Sequence, residues 1–109
     1  MRYMLMICAD ESAQNGAAED SEGYAWFEEM ERRGVLRGGE RLRPSGDATT
    51  VRMRSGEVLL SDGPFAESKE QMGGYNIIEC ADLDEAIEVT SKHPVAKYGM
   101  IEVRPIWEA

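Results

Sequence analysis

Cysteine, histidine and positive charge are all scarce in this 109-residue chain, which holds two cysteines, one histidine, and 12 lysines and arginines against 21 acidic residues, for a net charge of −9. Cys8 and Cys80 each end an apolar run, with no C-x-x-C spacing, so they read as small apolar residues at or near the core. One histidine and two isolated cysteines cannot supply the ligands of a structural zinc site; spacing establishes no metal set of Glu67 and Glu70 with His93, and a carboxylate site for Mg²⁺ or Mn²⁺ stays open as an alternative. The acidic balance argues against nucleic acid as a partner, because a grip on phosphate backbones needs clustered Lys and Arg. No apolar run approaches the roughly 20 residues that span a bilayer, and the N-terminal stretch lacks the form of a signal peptide. No membrane association and a cytoplasmic location are therefore expected. Neither G-x-G-x-x-G nor G-K-[ST] occurs, and no cofactor is expected. The Met1, Met4, Met6 pattern reads as packing.

What the sequence does have is one unusually dense stretch, Ser61 to Tyr75. Asp62-Gly63-Pro64 is turn chemistry: Asp bonds its own downstream backbone, Gly permits positive φ, and Pro fixes its own φ while pushing Gly63 out of the helical region. Phe65 is presented from that stiff corner, either as a ligand contact or as a seal on the core edge. Glu67, Lys69 and Glu70 follow, and Gly73-Gly74 open the next apolar run with no side chain to block a close backbone or a ligand. Stiff, chemically loaded loops carry function more often than plain connections do.

The remaining chain reads as a single domain, 1–109, with alternating elements. Arg2 to Ala9 is a mostly apolar central strand. Asp10 to Glu22 shows no period and reads as a loop. From Ser21 to Arg33, Tyr24, Phe27 and Met30 recur at three-residue steps opposite Glu28, Glu29, Glu31 and Arg32, an amphipathic helix stopped by Gly34. Trp26 lies off that stripe, at the core edge or against a partner. Val35 to Leu42 is a strand interrupted by Gly38-Gly39, and 43–47 is a turn. Ala48 to Arg54 and Glu57 to Leu60 form a hairpin around Ser55-Gly56. Tyr75 to Cys80 is a strand. Asp82 and Glu85 have capping-box spacing ahead of a helix with Leu83, Ala86, Ile87 and Thr90 as its buried stripe, ending before Pro94. Gly99 to Trp107 is the last strand.

Two βαβ halves with an inserted hairpin fit an α+β, ferredoxin-like fold, an antiparallel sheet with two helices on one face. The other sheet face would be apolar and bare, so a homodimer through that face is expected, with a pocket between sheet, first helix and the Ser61–Tyr75 stretch.

Asp62-Gly-Pro-Phe-Ala-Glu-Ser-Lys-Glu70 followed by Gly73-Gly74-Tyr75 closely resembles the signature of the DGPF-domain branch of the YCII-related superfamily. The resemblance extends through Met1–Ile7, Gly34–Leu42, His93-Pro94 and Ile101–Glu108. It implies face-to-face dimers of the dimeric α/β-barrel type. One related branch is associated with dehydrochlorination, and such proteins are often encoded beside alternative sigma factors. The YCII proposal of a first-helix His facing an Asp before Pro is matched here only in place, by Tyr24 and His93.

His93 is the one residue whose ordinary pKa lies near neutrality, and a helix C-terminus would raise that pKa. It is the candidate catalytic acid or base, or a cap on the last helical carbonyls. Asp62 is the candidate acid, or an Asx-turn carboxylate, and Tyr24 the candidate hydrogen-bond donor. Phe65, Lys69, Gly73 and Gly74 are the candidate substrate contacts, with Lys69 either holding an anion or pairing with Glu67 or Glu70. These residues would serve elimination or isomerisation chemistry on a small organic molecule without a cofactor. The alternative is a non-catalytic accessory module linked to sigma factors.

Overall fold

Strict alternation along β1 (Arg2–Asp10) sends Tyr3 and Leu5 to one side of a sheet and Met4 and Met6 to the other, and only the first pair is buried. A computed structural model of the chain describes residues 1–11, 17–64 and 69–108. After β1 come α1 (Ala17–Arg32), β2 (Leu36–Arg41), a 3₁₀ turn at Ser45–Asp47, β3 (Thr49–Arg54), β4 (Glu57–Asp62), β5 (Glu70–Glu79), α2 (Leu83–Ser91), a 3₁₀ turn at Pro94–Lys97 and β6 (Met100–Pro105). The main sheet has four strands in the order β2-β5-β1-β6, and every described pairing in it is antiparallel. This order is the one a split βαβ pair produces, consistent with a ferredoxin-like fold. β3 and β4 form a separate two-stranded ribbon.

The core lies between one sheet face and the helices, where Tyr3, Leu5 and Ile78 meet Trp26 and Met30 of α1 and Ala86 and Val89 of α2. Both helices are rotated from the expected stripes. On α1, Trp26 and Met30 are buried while Tyr24 is 73 % and Phe27 40 % exposed. On α2, Ala86, Val89 and Thr90 are buried, and Leu83 and Ile87 are exposed. Three-residue steps drift around a helix; the i, i+4 pair Trp26–Met30 keeps the larger ring on the sheet side. The span 10–22, read as a loop, holds the first turns of α1 from Ala17, because good helix formers at its start outweigh a missing apolar period.

Three local signals work as their residue types dictate. Gly34, at φ 72°, ends α1 with its N–H on the Glu31 carbonyl while Val35 N–H reaches Met30, a Schellman closure. Asp82 caps α2 by accepting from Glu85 N–H at 2.9 Å, while the Glu85 carboxylate accepts from Ala81 N–H rather than from the cap residue itself. Ser55 and Gly56 both take positive φ, the primed turn that suits a twisted two-stranded ribbon. The helices are joined at the surface by Arg33, whose guanidinium forks onto Glu88, and by Lys92, which reaches Glu29 and Glu88.

Gly34→Ala is expected to lower unfolding free energy by about 1–2 kcal/mol, the cost of a Cβ in left-handed backbone. The Thr90 hydroxyl is buried without a partner among the described residues. Thr90→Val should therefore be neutral or stabilising by about 1 kcal/mol in urea unfolding, where an ordinary buried hydroxyl would lose stability on the same change.

Candidate functional site

Pro94 disfavours helical backbone at the residue before it, so α2 stops and His93 turns extended, with φ −71° and ψ 133°. Pro94 then opens the following 3₁₀ turn, whose first-turn amide at Val95 donates to His93 Nδ1 at 3.1 Å. The His93 side chain therefore caps the next turn, and it is the backbone N–H of His93 that reaches an α2 carbonyl, that of Thr90, at 3.0 Å. His93 is 9 % exposed, and its ring meets the Trp26 ring edge-on, with centroids 4.7 Å apart. Trp26 Nε1–H also donates to the Val89 carbonyl at 3.0 Å, which ties α1 to the last turn of α2.

Burial decides the charge state of that imidazole. The helix end was expected to raise its pKa; instead desolvation pushes it down from 6.5 to about 4. A dipole at a helix end contributes a fraction of a charge, whereas removing water disfavours the whole imidazolium. The ring is neutral at pH 7, and with Nδ1 accepting from Val95 its proton sits on Nε2. Tyr24, the expected partner, points outward from α1, and the α1 side chain that meets the imidazole is Trp26. Beside Trp26 and Pro94 lies a hollow of about 240 Å³. Its rim is closed by the pairs Lys92–Glu29, at 3.4 Å, and Lys97–Glu22, at 3.2 Å.

A second, larger hollow of about 350 Å³ forms at the root of the β3–β4 hairpin. Leu42 and Pro44 wall one side, Ala48 and Pro64 the hairpin root, and Gln71 and Met72 the start of β5, with Arg43, Ser45 and Asp47 at its margin. Its shape follows from a few backbone ties. Gly63, at φ 90°, donates to the Ala48 carbonyl at 2.7 Å, and its own carbonyl accepts from Thr50 Oγ1. Leu42 N–H donates to Gly73 at 2.9 Å. Glu11, just past β1, accepts from both the amide and the hydroxyl of Ser45, which holds its carboxyl below the usual range. Asp47 accepts from Arg43 Nε at 3.0 Å and so orients the guanidinium.

The sequence-predicted residues distribute as follows. Asp62 is the exposed last residue of β4, opposite Thr49, and it lines neither hollow. Its neighbour Pro64 does line the larger one. Lys69 is exposed at the head of β5 and lines neither hollow. Gly73 is the extra residue of a β-bulge, since Ile7 faces Gly74 while Cys8 faces Met72. Gly74 admits β2 closely, as a Cβ there would stand 3.1 Å from the Glu40 carbonyl. Phe65 lies outside the described residues. The pocket expected against the first helix is instead lined by no α1 residue where the Asp62–Pro64 corner is, and it is the separate, smaller hollow that α1 borders. Sequence reasoning set Trp26 at the core edge or against a partner, where its i, i+4 relation to Met30 signalled the core itself, and it missed Glu11, for which the sequence offered no signal.

The neutral imidazole makes stability pH-dependent. Because its folded pKa lies below 6.5, the unfolded chain binds the extra proton first, and stability is lost as pH falls from about 6.5 toward about 4. Glu88, held at about 2 by Arg33 and Lys92, loses its contribution only below 4.5, so the interval above pH 5 isolates the histidine. Urea unfolding at pH 7 and pH 5 should differ by about 2 kcal/mol, and a His93→Asn variant should lose that difference.

Among the described residues, no His, Cys, Asp and Glu side chains gather as a metal-binding group, and no helix is long and apolar enough to cross a membrane. An uncharacterised protein of Rhizobium meliloti (strain 1021) is 44 % identical over 70 residues, a match covering 61 % of this chain and 55 % of that protein. The chain thus aligns with little more than half of that relative's length. The YCII-related domain pattern, by contrast, matches from the first residue to the last, 1–109, and on that match the chain belongs to the YCII-related family.

Proposed function

We propose that the protein binds a small organic molecule, with an apolar body and one acidic or polar end, in the hollow at the root of the β3–β4 hairpin. The observation that carries this reading is the meeting of the Gly63-Pro64 corner and the bulged start of β5 around that hollow. Its volume of about 350 Å³ lies in the range of small-molecule sites. Leu42, Pro44, Ala48, Pro64 and Met72 offer the apolar wall, and Arg43, steadied by Asp47, offers a charge-assisted donor.

Binding has more support than acid–base turnover by His93, Asp62 and Tyr24. The Nδ1 lone pair of His93 is already engaged, and Asp62 and Tyr24 are exposed and line neither hollow. The working unit in this reading is a pair of chains joined through the sheet face that carries Met4, Met6, Tyr75 and Ile77, which no helix covers.

A thermal-shift screen of small carboxylic acids and halogenated organic compounds tests the site. A hit at a hundredfold excess over its Kd adds about 2.7 kcal/mol to stability. Ala48→Leu, which fills the hollow, should abolish the shift, and Arg43→Gln should weaken an acidic hit at least tenfold, while His93→Asn keeps it. Hits that bind the Ala48→Leu protein unchanged would overturn the assignment.

A further inference from the structure

The β3–β4 ribbon carries an apolar face that is more than half exposed among the described residues. Val51 lies opposite Leu60, and Met53 opposite Val58, so these four side chains share one side of the ribbon. They are 62, 67, 55 and 59 % exposed in that order. An isolated two-stranded ribbon is marginally stable in water, and an apolar strip of this kind marks an interaction surface.

The whole chain has surface to spare. It exposes 7740 Å² for 12.2 kDa, where a compact monomer of that mass exposes about 6,100 Å². The difference, about 1,600 Å², matches what one subunit contributes to an obligate homodimer, about 1,000–2,500 Å². The shape agrees: extents are 47 × 40 × 18 Å, and the radius of gyration is 15.8 Å against about 13 Å for a compact chain of this length. The short 18 Å extent is that of a slab one sheet and one helix layer thick.

A second copy supplies the missing cover without any further component. The other uncovered apolar surface is the sheet face with half-buried Met4, Met6, Tyr75 and Ile77, whose edges carry Glu40, Glu79 and Glu102 together with Arg2 and Arg104.

We propose that the β3–β4 ribbon is an exchange arm: its Val51, Met53, Val58 and Leu60 face packs on a second copy of the chain at the margin of that copy's open sheet face, and the second copy's arm returns the contact. This extends the pairing of chains proposed above and adds to it a site that sheet-to-sheet contact does not require. Reciprocal contact follows from two-fold symmetry, which gives each copy the same patch twice.

Sedimentation and light scattering of the full chain test it, with Val51→Lys/Leu60→Lys as the arm variant and Met6→Lys as the sheet variant. The wild type should be a dimer, and the arm variant should dissociate at least a hundredfold more readily with unchanged far-UV circular dichroism. If the charged arm disturbs folding, the four arm positions changed to Thr keep strand propensity and should give the same dissociation. A dimer that survives both arm variants but falls apart with Met6→Lys removes the arm and leaves the sheet pairing. A monomeric wild type removes both. A larger assembly that drops to two on arm mutation places the arm between pairs and overturns reciprocal exchange within one.

Discussion

The Trp26 indole packed between the helices is the contact on which the setting of the two helices and the state of the single histidine depend. Its N–H satisfies a carbonyl at the end of α2, and its ring edge shields the imidazole. The same contact rotates α1 so that Tyr24 and Phe27 turn outward. It also removes His93 from water, which keeps the ring neutral and leaves it as a cap for the turn that follows. A residue that reads in the sequence as the obvious proton carrier is thus spent on structure.

The larger hollow is assembled from different material. No helix contributes to it; backbone turns, two prolines and a bulge do. Such a cavity is held by hydrogen bonds between strand ends, so its shape is set by the chain's own rigid corners. Glu11 shows the logic: one carboxylate takes the two Ser45 donors and fixes the margin of the hollow to the end of β1. The charged groups there are surface groups, suited to recognising a ligand's polar end while the apolar wall holds its body.

The sheet has one face under helices and one face without, and this asymmetry is common ground for the family's fold and for the pairing proposed here. Met4, Met6, Tyr75 and Ile77 gain nothing from the helices on the opposite side. A chain this small cannot cover both faces of a four-stranded sheet with two helices that pack on the same side. The uncovered apolar surface is therefore built into the topology and is not a local accident of sequence.

Much of the architecture was legible from residue types alone. Gly34 had to stop a helix, Asp82 had to start one, Ser55-Gly56 had to turn a ribbon and Pro94 had to break α2, because each acts through backbone geometry within a few residues of itself. The rotation of the helices, the neutral state of His93, the separation of that ring from the Asp62 corner and the tie from Glu11 to Ser45 were decided only by tertiary structure. Each of these depends on which distant groups exclude water or donate hydrogen bonds, and sequence spacing carries local periodicity but not that arrangement in space.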